Sequence, residues 1–152
     1  MGTDNRKTRR EENWRTLAEF AFPSAPGSER RITEQVVDAV RSLDLPETRL
    51  DRLKTAVAEA AMNAMEHGNH YKPELPVEVR VLVSNRSLEV DITDQGGSQI
   101  EPEPGEPDLA AKLEGTQSAR GWGLFLIKNM VDQMHVTSDN VHHTVELILN
   151  LK

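Results

Sequence analysis

Leu50, Leu53, Val57, Ala60 and Ala64 recur at helical spacing, and Ala56, Ala58 and Ala61 crowd the same stretch. A helix with so many small side chains lets another element, or a ligand, approach its backbone closely. Gly68 follows as a stop signal. The rest of the chain must therefore fold around a helix built for close contact along one side.

Upstream, Thr16 to Phe22 alternates partly through Leu17, Phe20 and Phe22 and stops at Pro23, which reads as a strand. PSAPGSE is a turn and helix entry; Ile32, Val36, Val37, Val40 and Leu43 then form a second helical stripe, broken at Pro46. Downstream, VEVRVLV and LEVDIT alternate as two strands of a hairpin joined at Asn85-Arg86. Residues 95–120 are rich in Gly, Pro, Ser and acid, with a short helical candidate at Leu109–Leu113. A long irregular stretch of this kind is usually a lid or a mobile loop. Gly123 to Met134 reads as a helix with Leu124, Ile127, Met130 and Val131 inward, and strands near His135–Ser138 and Thr144–Leu151 close the chain. The order β-α-α-β-β-loop-α-β-β predicts a two-layer α/β sandwich, with helices on one face of a mixed sheet.

The 152 residues fit one domain, expected at 16–152 behind a charged N-terminal tail at 1–15. A net charge of −7 argues against nucleic-acid binding, which needs clustered Lys and Arg; it leaves a basic or amphipathic protein partner open. With no cysteine there is no disulfide, thiolate metal site or Cys nucleophile. No apolar run approaches the roughly 18 residues of a membrane span. The N-terminus has no hydrophobic segment after its charges, and Arg6 stands where a myristoylation signal wants Ser or Thr. The expectation is a cytoplasmic protein.

Three features carry chemistry. Glu59, Asn63 and His67 are spaced four apart, along one side of a helix. That spacing suits a polar edge on an amphipathic helix. It also suits a metal site: Mg²⁺ takes oxygen donors and shares itself with phosphates, an Asn carbonyl can supply one donor, and a Glu one turn earlier can deprotonate a nucleophile. Asp94-Gln95-Gly96-Gly97-Ser98 follows a strand. There a carboxylate beside a glycine turn can accept from an exocyclic amine such as that of adenine, or it can be an ordinary Asp-Gly turn. Arg120-Gly121-Trp122-Gly123-Leu124 reads as a glycine turn leading into a helix, whose free N–H groups favour phosphate. Walker-A and dinucleotide fingerprints are both missing.

Taken in order, EAAMNAMEHGN (59–69), DQGGS (94–98) and GWGLFLIKNMVD (121–132) resemble the ATP-binding domain of the GHKL superfamily, and within it the small stand-alone serine kinases that act as bacterial anti-sigma factors. The resemblance spans roughly residues 16–152 and implies the Bergerat fold, with ATP between helices and a lid at 99–120. It implies that Asn63 holds Mg²⁺, that Glu59 activates the attacking hydroxyl, and that Asp94 contacts adenine with support from Thr144. It places Gly96, Gly121, Gly123 and Leu124 against the nucleotide, with Arg120 reaching for the γ-phosphate. Two departures stand out: Ser98 replaces the last glycine of the usual D-x-G-x-G, and His143 replaces the glycine before the last Thr.

The function implied is a serine/threonine kinase that phosphorylates a small STAS-type anti-anti-sigma protein and sequesters a sigma factor, with a homodimer carried as an expectation. The alternative is a non-catalytic ATP-binding regulator. A sensor histidine kinase fragment is disfavoured, because no dimerising hairpin precedes the domain and no histidine lies before His67.

Overall fold

The computed structural model describes residues 13–97 and 119–151, and for 119–122 the backbone alone. The short helix expected at Leu109–Leu113, the lid at 99–120, Ser98, the side chain of Arg120 and most of the N-terminal tail lie outside the described residues.

Strand β1 (Arg15–Pro23) leads through a turn at Gly27, whose φ of 95° needs glycine, into α1 (Ser28–Val40). A 3₁₀ turn (Arg41–Leu43) and Asp44 in the left-handed region end that helix before Pro46, which instead forms the N-cap of α2 (Glu47–Asn63). A π-helical turn (Ala64–Gly68) extends α2. Strands β2 (Pro76–Val83) and β3 (Ser87–Asp94) form the expected hairpin, in which the Ser84 hydroxyl accepts from the N–H groups of Arg86 and Ser87. Then come α3 (Ala119–Met130), β4 (Gln133–Ser138) and β5 (His143–Asn150).

The five strands run in the order β1-β2-β3-β5-β4, and every pairing is antiparallel. The sheet is thus not mixed, as the element order suggested. The physical reason is the return path. Two helices between β1 and β2 carry the chain down and back up, so β2 starts where β1 ended, with Pro23 opposite Pro76. One helix before β4 returns the chain to the far end, and a hairpin then brings β5 down beside β3. Strands β3 and β4 run the same way and are joined through α3, but β5 lies between them, so no two neighbouring strands are parallel.

One sheet face is apolar and meets the helices. Val77, Val79, Val81, Leu88, Val90, Ile92, Val145, Leu147 and Leu149 share a core with Ile32, Val36, Leu53, Val57 and Ile127. Each fully buried Ile or Leu among them contributes about 1.5–3 kcal/mol. The helix after the long loop spans Ala119–Met130 rather than 123–134, so Met134 belongs to β4. Its apolar residues continue into a strand without a break in hydrophobicity, which hides the boundary.

The other face is polar. Glu89, Asp91 and Glu146 bring carboxylate oxygens within 4.8 Å of one another. Asp91 and Glu146 line a concavity of about 680 Å³ together with Arg80, Thr93 and Thr144. Burial, a hydrogen bond to Glu89 and the charges of Glu89 and Glu146 push the Asp91 carboxyl up to about 9, against the opposing pull of Arg80. The folded chain thus keeps a proton that the unfolded chain releases above about pH 4, so stability falls as pH rises from about 4 to about 9. Asp91→Asn removes that dependence. Its urea midpoint should exceed the parent's by a margin that widens between about pH 5 and about pH 8; an equal margin at both would refute the retained proton.

Candidate nucleotide-binding site

Glu59 and Asn63 lie one turn apart near the C-terminal end of α2, both half-buried. His67 does not continue their line. In the π-helical turn the Asn69 N–H donates to the Ala64 carbonyl, a five-residue step, and the wider turn lets His67 fall behind. Its Nε2 stands 4.0 Å from Glu66 instead. Helix α3 packs across α2, and a Cβ added at Gly123 would stand 2.9 Å from Asn63 Nδ2 and 3.2 Å from Oδ1. Glycine there admits the Asn63 amide against the helix backbone. The Asn63 Nδ2 atom is buried with no hydrogen-bond partner among the described residues. An orphaned amide N–H beside a half-buried carboxylate fits a ligand that brings an acceptor, such as a phosphoryl oxygen, and leaves the amide Oδ1 as the atom that could bind a cation.

Gly121 and Gly123 sit inside the first turns of α3, not in a turn that precedes it. The sequence reading fails here because glycine is rare inside helices, whereas close packing on Asn63 demands it. The phosphate logic shifts rather than disappears. The first four N–H groups of a helix have no intrahelical partner, and that of Gly121, third in α3, is one of them.

Asp94 ends β3 with 1% of its surface exposed. Oδ1 accepts from the Gly96 N–H at 2.8 Å, and Oδ2 lies 3.1 Å from His143 Nδ1. The carboxylate rests on Gly68, where an added Cβ would fall 2.1 Å from Asp94 Cγ. Gly68 therefore does not serve as a left-handed helix stop; the positive φ values of 52° belong to His70 and Tyr71. A Cβ at Gly96 would meet the Gly68 carbonyl at 2.6 Å, and one at Gly97 would meet the Val141 backbone at 2.4 Å. The small residues of this turn admit neighbouring protein as closely as they would a flat ring.

His143, not the expected Thr144, stands beside Asp94. Asp94 pairs with His143 across β3 and β5, so their side chains share the core face. Thr93 pairs with Thr144, and their hydroxyls meet at 2.8 Å on the polar face, away from Asp94. The signal was available: carrying the alternation of Val145, Leu147 and Leu149 back by two residues turns His143 inward and Thr144 outward.

Asn69 escaped the sequence reading altogether. It is fully buried. Its Nδ2 lies 2.9 Å from the Ser24 hydroxyl and 3.1 Å from the carbonyls of Leu75 and Pro76, while its Oδ1 accepts from the Gln95 N–H at 2.7 Å. One side chain thus ties the end of the π-helical turn to the end of β1, to the start of β2 and to the Asp94 turn. Nothing in the local pattern around a lone Asn signals such a role. The hairpin at 139–142 completes the support: Asp139 Oδ1 accepts from the N–H groups of Val141 and His142, which holds its carboxyl below the usual range, and the Val141 carbonyl accepts from Gly97.

Residues 22–149 match the histidine kinase-like ATPase domain family. The chain is 32% identical over 135 residues to the anti-sigma F factor of Anoxybacillus flavithermus, covering 88% of this chain and 90% of that one. It is 31% identical over 120 residues to the anti-sigma F factor of Oceanobacillus iheyensis, with coverages of 78% and 81%. Among solved structures, it aligns with the SiaB-SiaC complex from Pseudomonas aeruginosa at a TM-score of 0.62 and 12% identity, over 95% of each chain. The structure of the RsbU and RsbW domains of Rv1364c from Mycobacterium tuberculosis aligns at 0.61 and 13% identity, over 87% of this chain and 32% of that longer one. At such identities these alignments show a common fold.

Asn69→Ala strands the Gln95 N–H and leaves a buried void, so it should cost about 2–4 kcal/mol in urea denaturation. A loss under about 0.5 kcal/mol, the size expected of a surface change, would show that Asn69 does not hold the turn.

Proposed function

The chain belongs to the histidine kinase-like ATPase domain family, and on that premise we propose that it is an ATP-dependent serine/threonine kinase acting as an anti-sigma factor. In this reading it phosphorylates a serine of a small STAS-type anti-anti-sigma protein and sequesters a sigma factor in a partner-switching pathway. The observation that carries the site is the Glu59–Asn63 line, with Gly123 opening the helix crossing over the orphaned Asn63 amide. The anti-sigma F factors it resembles supply the partner class.

Each residue has a role in this proposal. Asn63 offers its amide oxygen to Mg²⁺, which when bound neutralises phosphoryl oxygens. Glu59 takes the proton of the attacking serine hydroxyl. Asp94 accepts from the exocyclic amine of adenine. Gly96 shapes the turn beside the base, and the free N–H of Gly121 points at phosphate. Gly123 and Leu124 form the floor where α3 crosses α2, and Arg120 serves the γ-phosphate. Thr144 keeps only an indirect part, through its hydroxyl contact with Thr93. Catalysis is mostly positioning and charge stabilisation.

No helix among the described residues is long and apolar enough to cross a membrane. We place the protein in the cytoplasm, with protein partners rather than nucleic acid, and with a homodimer as its assembly. We take the domain to span 16–152 behind the N-terminal tail; pairing of β1 with β2 already includes Arg15.

Incubation with Mg·[γ-³²P]ATP and candidate partners tests the kinase reading. A serine of the cognate partner should become labelled. Glu59→Gln should slow transfer by about 10²–10⁴-fold while ATP affinity stays within about twofold. Asn63→Ala should weaken Mg-dependent ATP binding itself. ATP binding without labelling of any partner would leave the non-catalytic regulator as the correct reading.

A further inference from the structure

We infer that His143 is a positioning residue that holds Asp94 as an acceptor-only carboxylate and thereby sets the purine selectivity of the site; this rests on the nucleotide reading above. The two side chains face each other from paired positions on β3 and β5, with 2% exposure each, and His143 Nδ1 lies 3.1 Å from Asp94 Oδ2. An ionised carboxylate only accepts hydrogen bonds, so the shared proton sits on Nδ1. The Gly96 N–H takes one lone pair of the other oxygen. Each oxygen keeps a further lone pair for a ligand.

That arrangement reads one property of a base. Adenine presents an exocyclic amine, a donor, where guanine presents a carbonyl, an acceptor. A carboxylate held with an acceptor edge toward the base welcomes the first and repels the second. Removing the His143 N–H takes away the donor that fixes Oδ2, so the carboxylate is no longer held with its free acceptor edge toward the ligand. A carboxylate free to turn away reads the amine less strictly, so the difference between the two purines shrinks. His142, one residue away, points to the exposed hairpin and lies 3.5 Å from Asp139, so it provides a local control.

The test is isothermal titration of Mg·ATP and Mg·GTP into the wild-type chain, His143→Leu, His143→Asn and His142→Leu. Wild type and H142L should prefer ATP. H143L should lose about tenfold or more of that preference, the worth of one charge-assisted hydrogen bond. H143N, whose amide N–H stands near the place of Nδ1–H, should restore most of it. An unchanged ATP-to-GTP ratio in H143L overturns the inference and leaves ATP binding intact. If the wild type binds neither nucleotide, the nucleotide reading falls and takes the inference with it. A second measurement needs no variant: in ¹⁵N-histidine spectra of the wild type, His143 should carry its proton on Nδ1, and its signals should move when Mg·ATP is added. An unprotonated Nδ1, or a ring blind to Mg·ATP, overturns the proposal even if H143L fails to fold.

Discussion

Burying the Asp94 carboxylate obliges the surrounding protein to supply what water would have given it. The Gly96 N–H and His143 Nδ1 meet its two oxygens, and Gly68 yields its Cβ volume so that the carboxylate can settle on the end of the π-helical turn. Those contacts lock three otherwise separate pieces together: the end of the α2 extension, the turn after β3 and the start of β5. Asn69 then secures the same junction to β1 and β2 through Ser24, Leu75 and Pro76. Because α2 carries Glu59 and Asn63, fixing its C-terminal end also fixes how those groups face α3.

The π-helical turn belongs to the same constraint. A regular α-helix through Gly68 would keep His67 in line with Asn63. The five-residue hydrogen-bond step at Ala64–Asn69 instead rotates the end of the helix, so that Gly68 meets Asp94 and Asn69 reaches the strands. Turning the chain afterwards falls to His70 and Tyr71, whose positive φ values are uncommon for residues of their size. The sheet divides its labour in the same spirit. Its apolar face supports the helices, while its polar face holds three carboxylates close enough that Asp91 keeps a proton.

Most of the fold was legible because it rests on periodicity. The stripes of Ile32, Val36 and Val40 and of Leu53, Val57 and Ala60 face the core, and the β2–β3 hairpin turns at Asn85-Arg86. Two failures came where periodicity is silent. Glycines at 121 and 123 look like a turn, yet both lie in a helix, and at 123 the Asn63 side chain of a second helix presses close. Strand direction was misjudged because local patterns do not say which way a chain returns. At Thr144 periodicity was not silent: alternation along β5 puts it on the polar face, opposite Asp94.

The sequence alone determined which residue types stand ready for chemistry: a Glu and an Asn one helical turn apart, a carboxylate at the end of a strand, and glycines near a helix start. Spacing along one element is a local property, so it survives without knowledge of the fold. Tertiary structure alone decided which of them meet. Gly123 lies 60 residues from Asn63, Asp94 lies 49 from His143, and Asn69 lies 26 from Gln95, with closeness in each case set by packing and burial. Contacts so distant in sequence leave no periodic trace, because what joins them is the need to satisfy buried polar groups wherever the chain happens to fold.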